Sequence, residues 1–294
     1  MSLPADLVVR LEGAGLDPDS IEALARSALA EDLAGGVDVT SVATIGPEQE
    51  AYGDFVARST GVVAGLDVAE AVLVVATNGS ADFTRPLQDG ARVSRGEALL
   101  TVHAPTRGLL TGERSALNFL CHLSGIATLT RSWVDAIAGS GAAVRDTRKT
   151  TPGLRALEKY AVRCGGGINH RMSLSDAALV KDNHVVSAGG VGPAFEAVRR
   201  AWPALPIEVE VDSLAQLDEV LEAGADLVLL DNMGVDDLRE AVRRTAGRAR
   251  LEASGGLTLD TAAAIATTGV DYLAVGALTH SAPVLDIGLD LRTV

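Results

Sequence analysis

Between Asp146 and His184 the chain reads DTRKTTPGLRALEKYAVRCGGGINHRMSLSDAALVKDNH, a stretch that gathers cations, two histidines and a triple glycine. From Ala142 to His184, eight Lys/Arg (Arg145, Arg148, Lys149, Arg155, Lys159, Arg163, Arg171, Lys181) face four acids (Asp146, Glu158, Asp176, Asp182), in a chain of net charge −14. A local reversal of sign on that scale suits a polyanionic ligand better than general solubility. Arginine presents a planar fork that matches carboxylates, whereas lysine is a point charge suited to phosphate oxygens. Arg148 and Arg171 are therefore candidates for the first task, and Lys149 and Lys181 for the second. Ser254-Gly255-Gly256 precedes a helical pattern starting near Thr258, and Gly276 precedes a short turn; backbone N–H groups there can close on a phosphate. Gly165-Gly166-Gly167 reads instead as a helix-to-loop transition.

These residues need elements to hold them. From about Ala142 onward, short apolar runs alternate with amphipathic helical segments. The predicted strands are Ala143–Thr147, Ala178–Lys181, Ile207–Val211, Leu227–Leu230, Arg250–Ala253 and Tyr272–Val275, with helices near 154–163, 193–201, 213–223, 235–246 and 258–268. Runs such as DLVLLD are apolar on both faces, as a parallel sheet covered by helices requires. In the helix after Ser213, Leu214, Leu217, Val220 and Leu221 share one face and Gly224 ends it. The candidate polar residues fall at or just past the carboxyl ends of six separate strands. A doubly wound sheet gathers its ligand at one switch point, whereas a barrel brings every strand end to one mouth. The pattern therefore predicts an α/β barrel, incomplete because six strands are legible where a full barrel has about eight.

The first 110 or so residues differ. Helical segments near 20–33 and 66–77 flank strand-like pieces at Gly53–Arg58, Ala91–Val93 and Ala98–Val102, with turns at Asp89-Gly90 and Arg95-Gly96. Residues 1–115 are expected to form a smaller α+β sandwich domain that 281–294 could complete, and 116–280 the barrel. Leu109–Ile137 reads as a helical bridge on which Arg114 is a cation within a mostly apolar stretch.

Composition sets bounds on partners. A chain of 294 residues with 47% hydrophobic content can bury a sizeable core. The acidic balance argues against a nucleic-acid binder. Cys121 and Cys164 have no metal-ligand or redox spacing, which points to a reducing cytoplasm. No apolar run approaches the roughly 20 residues of a membrane span, and the N-terminal residues lack an export signal. A mean hydropathy of +0.23 and the apolar bridge helix suggest an oligomer.

Nine blocks in order resemble the quinolinate phosphoribosyltransferases, also called carboxylating nicotinate-nucleotide pyrophosphorylases. They are EDLAGGVDVTS (31–41), GVVAGLDVA (61–69), ERSALNFLCHLSGIAT (113–128), DTRKTTPGLRALEKYAVRCGGGINHR (146–171), ALVKDNH (178–184), EVEVDS (208–213), LLDNM (229–233), EASGG (252–256) and DYLAVGALTHS (271–281). The chain departs from the family at Ser173, where glycine is usual, and at Cys164, where a larger or β-branched residue is usual.

The resemblance implies a reaction in which quinolinate and phosphoribosyl pyrophosphate yield nicotinate mononucleotide, pyrophosphate and carbon dioxide, with magnesium, in de novo NAD biosynthesis. It implies substrate-binding roles for Arg114, Thr147, Arg148, His170, Arg171, Ser254, Gly255, Gly256 and Gly276, and catalytic roles for Lys149, Lys181, Glu210 and Asp231. Glu210 and Asp231 would hold ribose hydroxyls or magnesium and stabilise positive charge at the sugar carbon. It also implies a homodimer in which Arg114 completes the neighbouring site. The alternatives are a structural histidine at His170, a buried ion pair with a barrel lysine at Glu210, and a plain surface residue at Arg114. Glu208 and Asp212 share the parity of Glu210, so parity alone does not choose among them. Two other functions stay open: a phosphoribosyltransferase of the same fold with another substrate, and a non-catalytic anion-binding barrel.

Overall fold

The structure is a computed structural model describing residues 2–293; Met1 and Val294 lie outside the described residues. The chain forms two compact units. The first comprises the residues up to Leu129, the segment Ala156–Gly166 and the chain from Ser281 on; the second comprises Thr130–Arg155 and Gly167–His280.

The first unit contains α1 (Ala5–Gly13), α2 (Pro18–Leu33), α3 (Val39–Thr44), β1 (Glu50–Ala57), β2 (Gly61–Val62), α4 (Leu66–Ala76), β3 (Asp82–Thr84), β4 (Arg92–Val93), β5 (Ala98–Pro105) and most of α5 (Thr106–Ala136). It also takes most of α6 (Arg155–Cys164) and a C-terminal strand, Ile287–Thr293. That strand pairs antiparallel with β1 along seven residues, giving a four-stranded sheet with β1 and β5 at its centre. Phe55, Leu66, Val72, Leu73, Leu99, Leu100, Leu109 and Leu120 fill the core between sheet and helices. α4 is buried on almost every side, so its acids need partners. Asp67 accepts from Arg10 Nε at 2.7 Å and pairs with Arg85, while Glu70 pairs with Arg10.

One long helix runs through the position where the sequence suggested a domain boundary, between 115 and 116. No helix-breaking residue stands there, so α5 continues to Ala136. Its GIAT segment has a packing reason. A Cβ on Gly125 would lie 2.2 Å from the Pro283 carbonyl oxygen, and Thr128 Oγ1 takes the Val62 N–H at 2.8 Å. The predicted helix near 154–163 forms as α6, but its contacts belong to the first unit. Its Tyr160 hydroxyl donates to Asp89 at 2.7 Å and Arg163 donates to the Ala14 carbonyl.

The second unit is a barrel-like parallel sheet wrapped by helices. In chain order it holds β6 (Ala143–Arg145), β7 (Ala178–Val180), α7 (Asp182–Ala188), α8 (Val191–Ala201), β8 (Ile207–Val211), α9 (Leu214–Glu222), β9 (Leu227–Asp231), α10 (Val235–Thr245), β10 (Arg250–Ser254), α11 (Leu259–Ala266), β11 (Tyr272–Ala274) and α12 (Ala277–His280). The C-terminal strand of the first unit is β12 (Ile287–Thr293). The six strands pair in the order β6-β11-β10-β9-β8-β7, all parallel. Among the described residues β6 and β7 do not pair with each other, so the barrel is open on that side. Helix α7 escapes sequence reading because KDNHVVSAGG offers too short an apolar period to register.

Candidate active site

Six parallel strands point their carboxyl ends the same way, so the residues that follow them share one edge of the second unit. Arg148 and Lys149 follow β6, Lys181 follows β7, Glu210 lies one residue from the end of β8, Asp231 ends β9, Ser254 ends β10, and Gly276 follows β11. Adjacent members meet. Lys181 Nζ lies 2.8 Å from Glu210 Oε2. The Asn232 N–H donates to the Ser254 carbonyl at 2.9 Å, and the Asn232 amide to Asp231 Oδ2 at 2.7 Å. Thr279 Oγ1 donates to the Lys149 carbonyl at 2.8 Å. The Lys149 N–H in turn donates to Thr147 Oγ1 at 3.0 Å, so Thr147 shapes the loop that carries Lys149.

The glycines are required by close approach. Gly255 has φ +86°, and a Cβ there would sit 2.2 Å from Asn232 Oδ1. A Cβ on Gly276 would sit 3.0 Å from Lys149 Cδ. Gly256, also left-handed at φ +61°, opens toward free space ahead of α11, whose N-cap is Thr258. The triple glycine behaves as a helix end: Gly165 and Gly166 donate to the Ala161 and Arg163 carbonyls.

Arg148 and Arg171 lie within electrostatic reach of each other. Burial, and then the Arg148 charge, push the Arg171 guanidinium below its ordinary value. Arg148 Nε is buried without a hydrogen-bond partner. Arg171 is held by one bond from Nη1 to the Ala177 carbonyl at 2.9 Å. The turn after it is closed by Asp176, which accepts from the Met172 and Ser173 N–H groups at 2.6 and 3.1 Å. Ser173 thus fits a side-chain-capped turn. Cys164 ends α6 in the first unit, where burial pushes its thiol up to about 12.

Beneath this edge lies a charged layer where barrels usually carry Val, Ile or Leu. It comes from three alternate strands: Arg145 of β6, Glu208 of β8 and Glu252 of β10. Arg145 Nη1 is 2.6 Å from Glu252 Oε2 and 3.8 Å from Glu208 Oε1, and its guanidinium stacks 4.6 Å from the Tyr272 ring centre. His170 Nε2 is 2.6 Å from Glu208 Oε2, and His170 Nδ1 accepts the Arg171 N–H at 2.7 Å. Burial, reinforced by Glu208, pushes the Glu252 carboxyl up to about 8.

Both ring nitrogens of His170 therefore face protein groups, which supports the structural alternative for this residue. Depth separates the three acids of matching parity: Glu208 is buried, Glu210 half-buried and Asp212 exposed. Glu210 makes the lysine pair considered above, at the mouth. Arg114 is exposed on α5 of the first unit. Of the eight cations in the reversed-charge stretch, Lys159 and Arg163 belong to the first unit and Arg145 to the floor. Arg155 is bonded to Thr150 Oγ1 and the Met172 carbonyl. Arg148, Lys149, Arg171 and Lys181 remain for the edge. Sequence reading passed over Thr279 and Glu252. The last left a signal, an acid of the same parity as Ser254 inside the strand RLEAS. A mostly apolar cavity of about 730 Å³ beside β7 and α8 is lined by Arg171 and His184 but by none of these acids and by none of Gly255, Gly256 and Gly276.

With that geometry in place, residues 38–124 match the model of the quinolinate phosphoribosyl transferase N-terminal domain, and residues 126–290 that of the C-terminal domain. The chain belongs to the quinolinate phosphoribosyltransferase family. It is 57% identical over 271 residues to the nicotinate-nucleotide pyrophosphorylase [carboxylating] of Mycobacterium leprae, covering 90% of this chain and 95% of that one. Among solved structures it resembles NadC from Streptococcus pyogenes, with a TM-score of 0.91 at 41% identity over 95% of this chain and 99% of that one. The nicotinate-nucleotide pyrophosphorylase from Francisella tularensis gives a TM-score of 0.89 at 37% identity, covering 93% and 96%. Family membership makes this protein a phosphoribosyltransferase and accounts for a smaller N-terminal domain followed by a barrel-like parallel sheet.

Proposed function

We propose that this protein condenses quinolinate with phosphoribosyl pyrophosphate, releasing pyrophosphate and carbon dioxide and forming nicotinate mononucleotide for NAD biosynthesis. The observation that carries the reading is the Arg148–Arg171 pair: two guanidiniums that repel each other, one with a buried, unpartnered Nε. A planar dicarboxylate satisfies both, and each charge-assisted bond is worth about 1.5–3 kcal/mol.

Lys149 and Lys181 take phosphate oxygens and the carboxylate that leaves. The Ser254-Gly255-Gly256 turn and Gly276 close on the 5′-phosphate, where side chains would block the approach. Glu210 and Asp231 each bond a protein group through one oxygen, which leaves donor capacity of the kind magnesium uses alongside substrate phosphates. Magnesium held there would neutralise charge on the departing pyrophosphate. The same acids stabilise positive charge at the sugar carbon as the quinolinate nitrogen forms its bond and the carbon–oxygen bond to pyrophosphate breaks. The resulting pyridinium accepts the electron pair released when the adjacent ring carboxylate departs as carbon dioxide, and the ring carbon then takes a proton.

The reading places the enzyme in the cytoplasm as a homodimer, with Arg114 of a second copy reaching the substrate. Two free cysteines fit a reducing compartment, and no helix among the described residues is long and apolar enough to cross a membrane. The test is direct. Purified protein with magnesium, quinolinate and phosphoribosyl pyrophosphate should give nicotinate mononucleotide by product mass, and nicotinate offered instead should give far less. No product, or a preference for nicotinate, overturns the assignment.

A further inference from the structure

We infer that Glu208 is a positioning residue: it fixes the tautomer of His170, and the His170 ring then fixes the backbone of Arg171 at the quinolinate end of the site. The last link rests on the function proposed above; the tautomer does not.

The argument starts at His170 Nδ1, which accepts the Arg171 N–H at 2.7 Å. A nitrogen accepting that bond cannot itself carry a proton, so the ring proton sits on Nε2. Nε2 faces Glu208 Oε2 at 2.6 Å, with Glu252 Oε1 further away at 3.6 Å. Both Glu208 oxygens are buried without a hydrogen-bond partner, so the carboxylate needs a donor, and Nε2 at 2.6 Å is placed to supply one.

The backbone of His170 is anchored separately. Its N–H donates to Asp146 Oδ1 at 2.8 Å, and the neighbouring Asn169 amide donates to Asp146 Oδ2. With main chain and ring both tied, the Arg171 N–H has a fixed acceptor. Arg171 begins a turn whose next two N–H groups are held by Asp176, so the start of that turn is set by His170 and its close by Asp176.

The rest of the layer balances the charge. His170, Glu208 and Glu252 offer ligand atoms within 4.8 Å of one another, as a metal site would, but the Arg145 guanidinium already supplies the cation. Burial, Glu208 and Asp146 all push the Glu252 carboxyl upward, while the Arg145 guanidinium beside it pulls the other way.

Nitrogen-15 NMR of the imidazoles in the free protein tests the first link, with His170 assigned by its disappearance in His170→Asn. The chain has five histidines. The expected result is a protonated Nε2 and an unprotonated Nδ1 on His170. An Nδ1-protonated ring or an imidazolium overturns the proposal, and this readout needs neither substrate nor turnover.

Kinetics test the second link. Glu208→Gln keeps an acceptor oxygen and should hold KM for quinolinate within about threefold, whereas Glu208→Leu should raise it about 10- to 100-fold, with KM for phosphoribosyl pyrophosphate little changed. Equal increases in both constants, or no difference between Gln and Leu, overturn the positioning role. If Glu208→Leu does not fold, the wild-type NMR result and Glu208→Gln still decide. A wild-type protein inert toward quinolinate would sink the proposed function and leave the tautomer assignment standing.

Discussion

Arg148 and Lys149 are adjacent in sequence yet face different surroundings, because strand β6 ends just before them and the loop turns their side chains to separate neighbours. The Arg148 charge acts on Arg171, while Lys149 lies beside Gly276 and hands its carbonyl to Thr279. Substituting either by alanine removes a cation from a partly exposed loop without opening a core cavity. Each variant should keep its far-ultraviolet circular dichroism and melting temperature and lose at least about 10- to 100-fold in kcat/KM, the loss of one or more charged hydrogen bonds. Near-normal kcat/KM in either variant would remove that residue from the site. At this scale much was legible beforehand, since arginine geometry and lysine point charge predict ligand chemistry from residue type alone. His170 was not. Whether an imidazole meets ligand or protein depends on where its two nitrogens point, and only the positions of Glu208 and Arg171 decide that.

The elements explain why certain small residues stand where they do. α5 carries Ser124, Gly125 and Thr128 on the side that meets the Val62–Ala64 segment and the returning chain at Pro283. Ser124 Oγ accepts the Ala64 N–H at 3.0 Å. The helix and the return segment touch backbone to backbone, so Gly125→Ala should lower stability by about 1–3 kcal/mol, the usual cost of overpacking, although alanine is the better helix former. Chemical denaturation of the two proteins measures this, and an unchanged or raised midpoint would contradict the contact. From the sequence GIAT reads as part of an apolar helix. Its use as a close-packing face depends on a partner more than 150 residues downstream, which no local period reveals.

Across the whole molecule, two buried acids, one in each unit, contribute to how stability responds to pH. Burial pushes Glu70 up to about 7, against the opposing pull of Arg85 and Arg10, and burial with Glu208 pushes Glu252 up to about 8. Both start from an ordinary value of 4.5. Above that value the folded protein keeps protons that the unfolded chain has lost, so the stabilisation from these groups is full below about pH 4.5 and declines as pH rises. It is gone above about pH 7 for Glu70 and pH 8 for Glu252. The melting temperature should therefore fall between about pH 4.5 and 8, and Glu70→Gln with Glu252→Gln should flatten that slope. A flat wild-type profile would contradict the burial of these carboxyls. The shared-site reading makes a second prediction at this scale. Arg114→Ala and Lys149→Ala, each weakly active alone, should regain activity when subunits are mixed and exchanged, because one mixed site carries neither change. No recovery after verified exchange would place Arg114 outside the partner's site. The sequence by itself determined the alternation of strand and helix, the parallel sheet, the residues at its carboxyl edge and the family, because period, capping and charge are local properties written in short windows. Tertiary structure alone decided the ownership of α6 by the first unit, the pairing of β12 with β1, and the Arg145–Glu208–Glu252 layer under His170. Those depend on contacts between residues far apart in the chain, where burial and the need to satisfy every buried charge determine the partner.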